Sequence, residues 1–326
     1  MMQADIKIFV SRRLGVDSTV IPNPLYVPVV CGAAHEVKKR RPGILGDNTG
    51  ENISLYNKNF CEFTVQYWAW KNVKADYYGL CHYRRYLTFT SRTFKKNSEM
   101  HIMEGLLDKK TFTKYELANT PKIRAIIEQN DVVVNEPADV SQIYTPKGYK
   151  DSVYAHWEAY DRIYLDKRVL PLLMETIKRQ FPQYYPACQA YMGDHWHRGF
   201  NCYVMKKELF DAMCTFQFTV LFAIEKQLKE NGLADHFERT LGYLGEIMYG
   251  MFIYYLEQQG KYKIQEEQLV YFEQTVVPDS SFQKTLDKIL FFLKFRFNDS
   301  SFFLLPRGSR RRKLLKHIYM TLTKKT

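Results

Sequence analysis

The sequence lacks the short motifs by which the common nucleotide-binding and hydrolytic enzymes are recognised. It contains no GxGxxG after the first apolar run, no GxxxxGK[ST], no HExxH and no GxSxG. The dinucleotide-binding, P-loop, zinc-protease and serine-hydrolase interpretations therefore lack their residues. An Asp-x-Asp pair, which could hold a divalent cation, is absent as well.

Long apolar runs and clustered cysteines are also missing. No window holds about 18 consecutive apolar residues, so we expect no spanning helix, and the opening MMQADIKIFV does not have the pattern of a signal peptide. The six cysteines include no CxxC pair. This spacing argues against a zinc site and favours buried free thiols in a reducing cytoplasm.

The positive charge is concentrated at the end of the chain. Residues 294–326 carry ten Lys or Arg against one Asp, and this +9 leaves only +3 of the total +12 for the other 293 residues. We therefore divide the chain into a nearly neutral domain, 1–280, and a basic C-terminal segment, 281–326.

The basic segment shows two amphipathic helical patterns. Leu286, Ile289, Leu290, Leu293 and Phe297 share one helical face, and the pattern recurs around Leu314 and Leu315. Basic amphipathic helices lie in the membrane interface and are attracted to anionic lipid, so we expect a peripheral position on the cytoplasmic face of the plasma membrane. The alternatives are a solvated tail and a nucleic-acid patch; no recognisable nucleic-acid module supports the latter, and we expect no nucleic-acid partner.

Short apolar strands alternate with amphipathic helices along the domain, which predicts an α/β sheet flanked by helices. The predicted strands are 6–10, 27–31, 77–81, 131–134, 200–205 and 268–272. The predicted helices are 58–71, 121–129, 147–163, 166–179, 207–230 and 238–258. Residues 88–120 are predicted to be an irregular, flexible excursion.

A basic and aromatic cluster follows the strand predicted at 77–81. It consists of His82, Tyr83, Arg84 and Arg85. The carboxyl ends of strands are where open α/β sheets bind ligands, and unmatched charges are costly to bury. The cluster therefore predicts a site for an anionic, ring-bearing ligand, with an ion-pair network to distant acids as the alternative.

The loop GDNTGENIS, residues 46–54, precedes a predicted helix. Its backbone amides and polar side chains favour anion binding at a helix amino terminus, with an Asx-rich turn as the alternative. The predicted ligand-binding residues in this loop are Asp47, Asn48, Thr49 and Asn52.

Five segments resemble one known family. GDNTGENIS, YWAWKN, YYGLCHYRRYL, GFNCYVM and RTLGYLGE are similar to the bacterial capsular and exopolysaccharide biosynthesis glycosyltransferases long described as a domain of unknown function. The resemblance covers about residues 7–272. It implies a GT-A-like nucleotide-sugar fold and a UDP-sugar donor, with UDP-galactofuranose the first to consider because some members are galactofuranosyltransferases.

The departure from the usual GT-A pattern concerns the metal. Where most GT-A enzymes carry Asp-x-Asp, this chain has Arg84 and Arg85, and a guanidinium pair can stabilise a departing diphosphate directly. Dependence on Mn²⁺ or Mg²⁺ is thereby in doubt. Asp194, His195 and His197 remain possible ligands for a metal.

We predict Asp194 and Glu246 as the catalytic carboxylates, one acting as the base of an inverting transfer and the other binding the acceptor. A structural salt bridge is the alternative for each. The residues predicted to bind the acceptor are His195, His197, Arg198, Asn201, Arg239 and Tyr243.

The sequence thus predicts a hexosyltransferase that moves a sugar from a UDP donor to a lipid-linked saccharide in capsule, exopolysaccharide or O-antigen synthesis. A nucleotidyl- or phosphotransferase using the same arginines is one alternative. A non-catalytic saccharide-binding protein is the other.

Overall fold

A computed structural model describes residues 3–36, 42–230, 238–278, 280, 285, 289–291, 311 and 314. The strands are β1 (Ile6–Arg13), β2 (Tyr26–Cys31), β3 (Leu45–Gly46), β4 (Tyr77–His82), β5 (Arg85–Leu87), β6 (His101–Leu106), β7 (Val132–Asn135), β8 (Ala138–Asp139), β9 (Trp196–His197), β10 (Tyr203–Lys206), β11 (Ile264–Glu267) and β12 (Leu269–Gln274). The helices are α1 (Asn57–Phe60), α2 (Phe63–Asn72), α3 (Lys109–Lys114), α4 (Thr120–Glu128), α5 (Val153–Glu158), α6 (Val169–Gln180), α7 (Tyr185–Gly193), α8 (Lys207–Glu230) and α9 (Thr240–Gln259).

One mixed sheet organises the described residues, with strand order β11-β7-β10-β4-β1-β2-β3. Strand β10 runs antiparallel to both of its neighbours, β4 and β7, whereas the other pairings along this path are parallel. Beyond β4, the sheet continues through β5 to β12 and β6. The carboxyl ends of six parallel strands and the amino end of β10 therefore share one edge.

Both faces of the central strands are buried, which explains why these strands are mostly apolar; the edge strand β11 is polar. In β1, Phe9 packs into a core with α2, α6, α7, α8 and α9, whereas Ile8 and Val10 point to a second core with α4 and β12. Successive side chains of a strand alternate between faces, so the central strands contribute to both cores, whereas β5, β6 and β12 contribute to the second core. The predicted α/β fold with flanking helices is confirmed.

Three predicted elements were wrong. The helix predicted over 147–163 forms only at Val153–Glu158, with turns on either side of it. Residues 88–120 contain β6 and α3; β6 is ordered by its parallel pairing with β12, about 170 residues downstream. The helix predicted over 58–71 is interrupted at Cys61, which has φ 51° and ψ −131°. Helical spacing cannot reveal a positive φ at a residue with a side chain.

The C-terminal segment is described only at isolated positions: the predicted basic helices of 281–326 lie outside the described residues apart from 285, 289–291, 311 and 314. Within the part of the chain that is described, no helix combines the length and apolarity needed to cross a membrane. The division into 1–280 and 281–326 stays a prediction.

Glycines let α9 approach its neighbours closely. A Cβ at Gly245 would lie 2.5 Å from Cζ of Phe63, and one at Gly242 would lie 2.9 Å from Sγ of Cys61. Phe63 is fully buried and cannot move aside cheaply. These glycines allow α9 to pack directly against the junction between α1 and α2.

We expect Gly245→Ala to lower the free energy of unfolding by about 1 to 3 kcal/mol, because overpacking a closed core forces side chains out of their preferred rotamers. Urea denaturation measures this. Gly193→Ala is the matched control, since a Cβ at Gly193 meets no atom within 4 Å. Equal stability of the two variants would contradict this account of the packing.

Candidate active site

The predicted basic cluster lies at the carboxyl end of β4, on the shared edge of the sheet. His82 pairs with Arg85 across the β4–β5 hairpin, so Arg84 occupies the turn. The N–H of Tyr83 donates to the carbonyl of Ser11 at the end of β1. The hairpin therefore fixes both arginines beside the central strand.

Neither arginine is neutralised within the described residues, where no carboxylate forms an ion pair with Arg84 or Arg85. Nη1 of Arg84 donates to the hydroxyl of Tyr271 at 3.2 Å. The guanidinium of Arg85 lies 4.9 Å from the ring centroid of Phe200 and 5.2 Å from that of Tyr271. Nε of each arginine is buried without a hydrogen-bond partner in the described structure. The carboxylates that act on them, Glu273 on Arg84 and Glu246 on Arg85, do so without an ion pair.

Two neutral histidines border the arginines. Burial, together with the charges of Arg85 and Arg84, holds the pKa of His82 well below its usual value. Burial also lowers the pKa of His101, whose ring lies 4.2 Å from that of Phe200. Both imidazoles can thus serve as uncharged hydrogen-bonding groups. His101 was missed because its segment was predicted to be irregular.

Glu246 faces the arginine cluster from α9. Its carboxylate accepts a hydrogen bond from the backbone N–H of Phe200, and a Cβ on Gly199 would lie 2.7 Å from its Oε1. Burial, and next the charge of Glu62, raises the pKa of Glu246 to about 7, although Arg85 and Arg239 oppose the shift. A carboxylate with this pKa can exchange a proton near neutral pH.

Glu62 is a second carboxylate that the sequence did not single out. It lies at the break between α1 and α2, and its Oε1 accepts a hydrogen bond from Nδ2 of Asn201 at 2.9 Å. Asn201 and Phe200 both have positive φ, 45° and 73°. Such backbone is costly for residues with side chains and clusters at functional sites; here it directs Asn201 to Glu62 and Phe200 to Arg85.

Arg239 and Tyr243 complete this group. The guanidinium of Arg239 lies 5.4 Å from the ring centroid of Tyr243, and its Nε donates to Sγ of Cys61 at 3.3 Å. Burial and the charge of Glu62 raise the pKa of Cys61 to about 11, so this thiol is protonated at neutral pH. Cys61 is the one cysteine that is only partly buried; the other five are buried, and all six are free, as predicted.

Of the residues predicted at 194–198, Asp194 and Arg198 line a cavity of about 440 Å³, whereas His197 lies beside Glu246: a Cβ on Gly199 would meet Nε2 of His197 at 3.1 Å and Oε1 of Glu246 at 2.7 Å. Arg198 is buried and donates to Glu257 at 2.9 Å and Glu266 at 2.5 Å. His197 is buried with Nδ1 2.6 Å from the Tyr191 hydroxyl, and burial lowers its pKa to about 3.

No group of three or more His, Cys, Asp or Glu side chains suited to a metal ion occurs among the described residues. Asp194 and His195 approach to 3.3 Å, but Nδ1 of His197 is engaged by Tyr191. A bond at Nδ1 does not itself prevent Nε2 of a histidine from binding a metal, but these three side chains do not come together as such a group. Activity in chelator tests the dependence on a metal.

The loop at residues 46–54 is held together by its own polar groups. The fully buried carboxylate of Asp47 accepts from the N–H groups of Gly32 and Ala33, each at 2.8 Å, and from the hydroxyls of Ser54 and Thr64. This network positions the ends of β2 and β3.

The other predicted residues of the loop also contact protein groups. Nδ2 of Asn48 donates to the carbonyl of Ala33, Oγ1 of Thr49 accepts from the Trp68 indole at 2.8 Å, and Asn52 bonds within the loop. The Asx-turn alternative accounts for these contacts. A donor-binding role for the loop stays a prediction.

The geometry and comparison with solved structures agree on the class of fold. The strand order and the carboxyl-edge site define an α/β protein of GT-A-like architecture. The chain is similar to the apo structure of the bifunctional glycosyltransferase WbbM, with a TM-score of 0.73 and 24% identity over 84% of this chain and 48% of that one. The chain thus spans about half the length of WbbM, and the likeness establishes the fold.

The family is shown by a separate comparison. The model of the family described as "Domain of unknown function (DUF4422)" matches residues 8–259, and the chain belongs to this family. This confirms the resemblance found in the sequence. No curated protein matches the chain.

The raised pKa of Glu246 predicts a pH-dependent stability. Because its folded-state pKa, about 7, exceeds its ordinary value of 4.5, the stability it contributes is complete below pH 4.5 and is lost as pH rises through about 7. We expect Glu246→Gln to become progressively more stable relative to the parent from about pH 5 to about pH 8. Urea denaturation across this range measures it.

The control for this experiment is Glu128→Gln, on the surface beside Arg124. A stability difference between Glu246→Gln and the parent that stays constant across the range would contradict the burial of an ionisable Glu246.

Proposed function

We propose that this chain is a glycosyltransferase that moves a sugar from a UDP donor to a lipid-linked saccharide acceptor. The observation that carries the proposal is the pair Arg84 and Arg85, which lie at the carboxyl edge of a GT-A-like sheet without an ion pair to a carboxylate in the described structure. The diphosphate of a nucleotide sugar carries two negative charges and gains a third as its bond to the sugar breaks, and two guanidinium groups can neutralise the charge that develops on it.

The donor is proposed to lie with its diphosphate on the arginines. Tyr83, Tyr271 and Phe200 supply aromatic faces around them, and His82 supplies a neutral ring. UDP-galactofuranose is the first donor to test, on the strength of the family resemblance. The acceptor's lipid would bring the reaction to the cytoplasmic face of a membrane, where the basic segment 281–326 is proposed to bind anionic lipid.

Glu246 is the better supported of the two proposed bases. A base must accept the proton of the attacking hydroxyl near the departing diphosphate, and Glu246 lies close enough to Arg85 for that charge to lower its pKa. Asp194 is instead half-buried beside the cavity, where its Oδ1 accepts from the N–H of His195 at 2.6 Å. We assign Asp194 to acceptor binding and propose transfer with inversion.

Arg84→Ala and Arg85→Ala should each weaken UDP binding by about 10- to 100-fold, since a hydrogen bond to a charged group contributes about 1.5 to 3 kcal/mol. Isothermal titration calorimetry with UDP measures this. Arg124→Ala is the control because Arg124 lies on α4, next to the amino end of β7 and away from the carboxyl edge. Normal UDP affinity in both folded variants would contradict the assignment of the donor site to these arginines.

Glu246→Gln should lower kcat/KM by about 10²- to 10⁴-fold, the usual contribution of a general base. In the parent, activity should rise with pH through about 7 as Glu246 loses its proton. Release of UDP from UDP-galactofuranose in the presence of a lipid-linked saccharide gives the rates. Asp194→Asn serves for comparison and should raise KM while keeping the pH profile of the parent. If instead Asp194→Asn abolishes the pH dependence and Glu246→Gln keeps it, Asp194 is the base.

The same assay in chelator separates the proposal from the phosphotransferase alternative. Retained activity agrees with diphosphate stabilisation by arginines. Loss of all activity, restored by Mn²⁺ or Mg²⁺, would favour a metal-dependent transferase.

A further inference from the structure

A cavity of about 440 Å³ lies at the carboxyl ends of β7 and β11. Its volume is within the range of small-molecule sites. Most of its lining consists of carboxylates and large rings, with one buried guanidinium, that of Arg198.

Four carboxylates line the cavity: Glu136, Asp194, Glu257 and Glu266. Arg198 engages Oε1 of both Glu257 and Glu266, so Oε2 of each remains as a separate acceptor. Their side chains are 38% and 44% exposed and are therefore open to a ligand. Burial is the main reason that the pKa of Glu257 is raised; the charge of Arg198 opposes the shift, and that of Glu266 adds to it.

The rings supply the apolar part of the lining. Trp196 is 46% exposed although it is a large aromatic residue, and Tyr254 and Tyr191 contribute further surface. An exposed indole beside hydrogen-bond acceptors suits a molecule with one apolar face and hydroxyl groups at its rim. A saccharide ring has both.

Three chain segments connect the cavity to the arginine cluster. On α9, Gly250 and Tyr254 line the cavity and follow Glu246 on the same helical face, with Gly250 about 6 Å along the axis. Arg198 lines the cavity and is followed by Gly199, which contacts Glu246. Met100 lines it and is followed by His101, which packs on Phe200.

We propose that this cavity binds an uncharged sugar residue of the acceptor, with Trp196 against the ring face and the carboxylates of Glu257, Glu266 and Asp194 accepting its hydroxyls. This inference rests on the proposed function and adds a selection rule.

The four carboxylates outnumber the two cations that pair with them, since Lys96 engages both oxygens of Glu136 and Arg198 engages Glu257 and Glu266. The remaining negative charge repels a phosphate or a uronic acid, so the acidic cavity rejects the donor's diphosphate while the arginines attract it. The donor's diphosphate would therefore bind at the arginines and the acceptor sugar in the cavity, with Glu246 between them.

Saturation-transfer NMR on the full chain tests the proposal without requiring turnover. The probes are methyl β-galactopyranoside and methyl α-rhamnopyranoside, both neutral, and methyl β-glucuronoside, which is anionic. We expect transfer to a neutral glycoside and none to the glucuronoside. Absence of transfer to both neutral probes, or equal transfer to the glucuronoside, would overturn the proposal.

Variants locate the binding. Trp196→Ala should weaken binding of the neutral glycoside by at least about tenfold, as for an aromatic anchor that the bound sugar covers. Glu257→Gln should weaken glycoside binding as well. Glu128→Gln is the matched control, since Glu128 has a 37% exposed side chain, pairs with Arg124 and lies near the amino end of β7. Unchanged binding in a folded Trp196→Ala would place the sugar elsewhere.

UDP titration of the same samples separates the two proposals. If UDP binds Trp196→Ala normally but the glycoside does not, the donor and acceptor sites are distinct, as proposed. If UDP fails to bind the parent while glycoside binding depends on Trp196, the donor assignment fails and the cavity assignment stands. If UDP competes with the glycoside for the cavity, the proposed exclusion of the diphosphate from the cavity by its negative charge is wrong.

Discussion

The site depends on two guanidinium groups held at the edge of a sheet without an ion pair to a carboxylate. Cations in a partly buried place are costly unless something compensates their charge. In the described structure aromatic rings and neutral histidines surround Arg84 and Arg85, and Glu273 and Glu246 act on them without forming an ion pair. The hairpin between β4 and β5 fixes their backbone at this edge. An anionic ligand is therefore the natural counterpart of this arrangement.

Glu246 gains its properties from the same arrangement. Burial and Glu62 favour its protonated form, whereas Arg85 favours the ionised one, and the balance falls near neutral pH. Binding a diphosphate would cancel part of the arginine charge and further raise the proton affinity of Glu246. Donor binding and the protonation state of Glu246 are thus electrostatically linked.

Much of the fold was predictable from the sequence because its central strands are buried on both faces and helices such as α4 and α6 are strongly amphipathic; α8 was predicted with its observed limits. The arginine cluster was found because charged residues directly after an apolar strand are conspicuous. β6 was not predicted, because it forms by pairing with β12, which lies about 170 residues further along the chain. Glu62 and Phe200 were missed because positive φ at Cys61, Phe200 and Asn201 leaves no sequence signal that we recognise.

The reversed direction of β10 has a consequence for the floor of the site. A parallel strand in that position would leave the sheet at this edge, as its six parallel counterparts do. Because β10 instead enters the sheet here, the residues just before it cross the site as an incoming segment, and the positive φ of Phe200 and Asn201 aims one side chain at Arg85 and the other at Glu62. One strand running backwards thus lets a single bend of the chain reach a cation and a carboxylate at once.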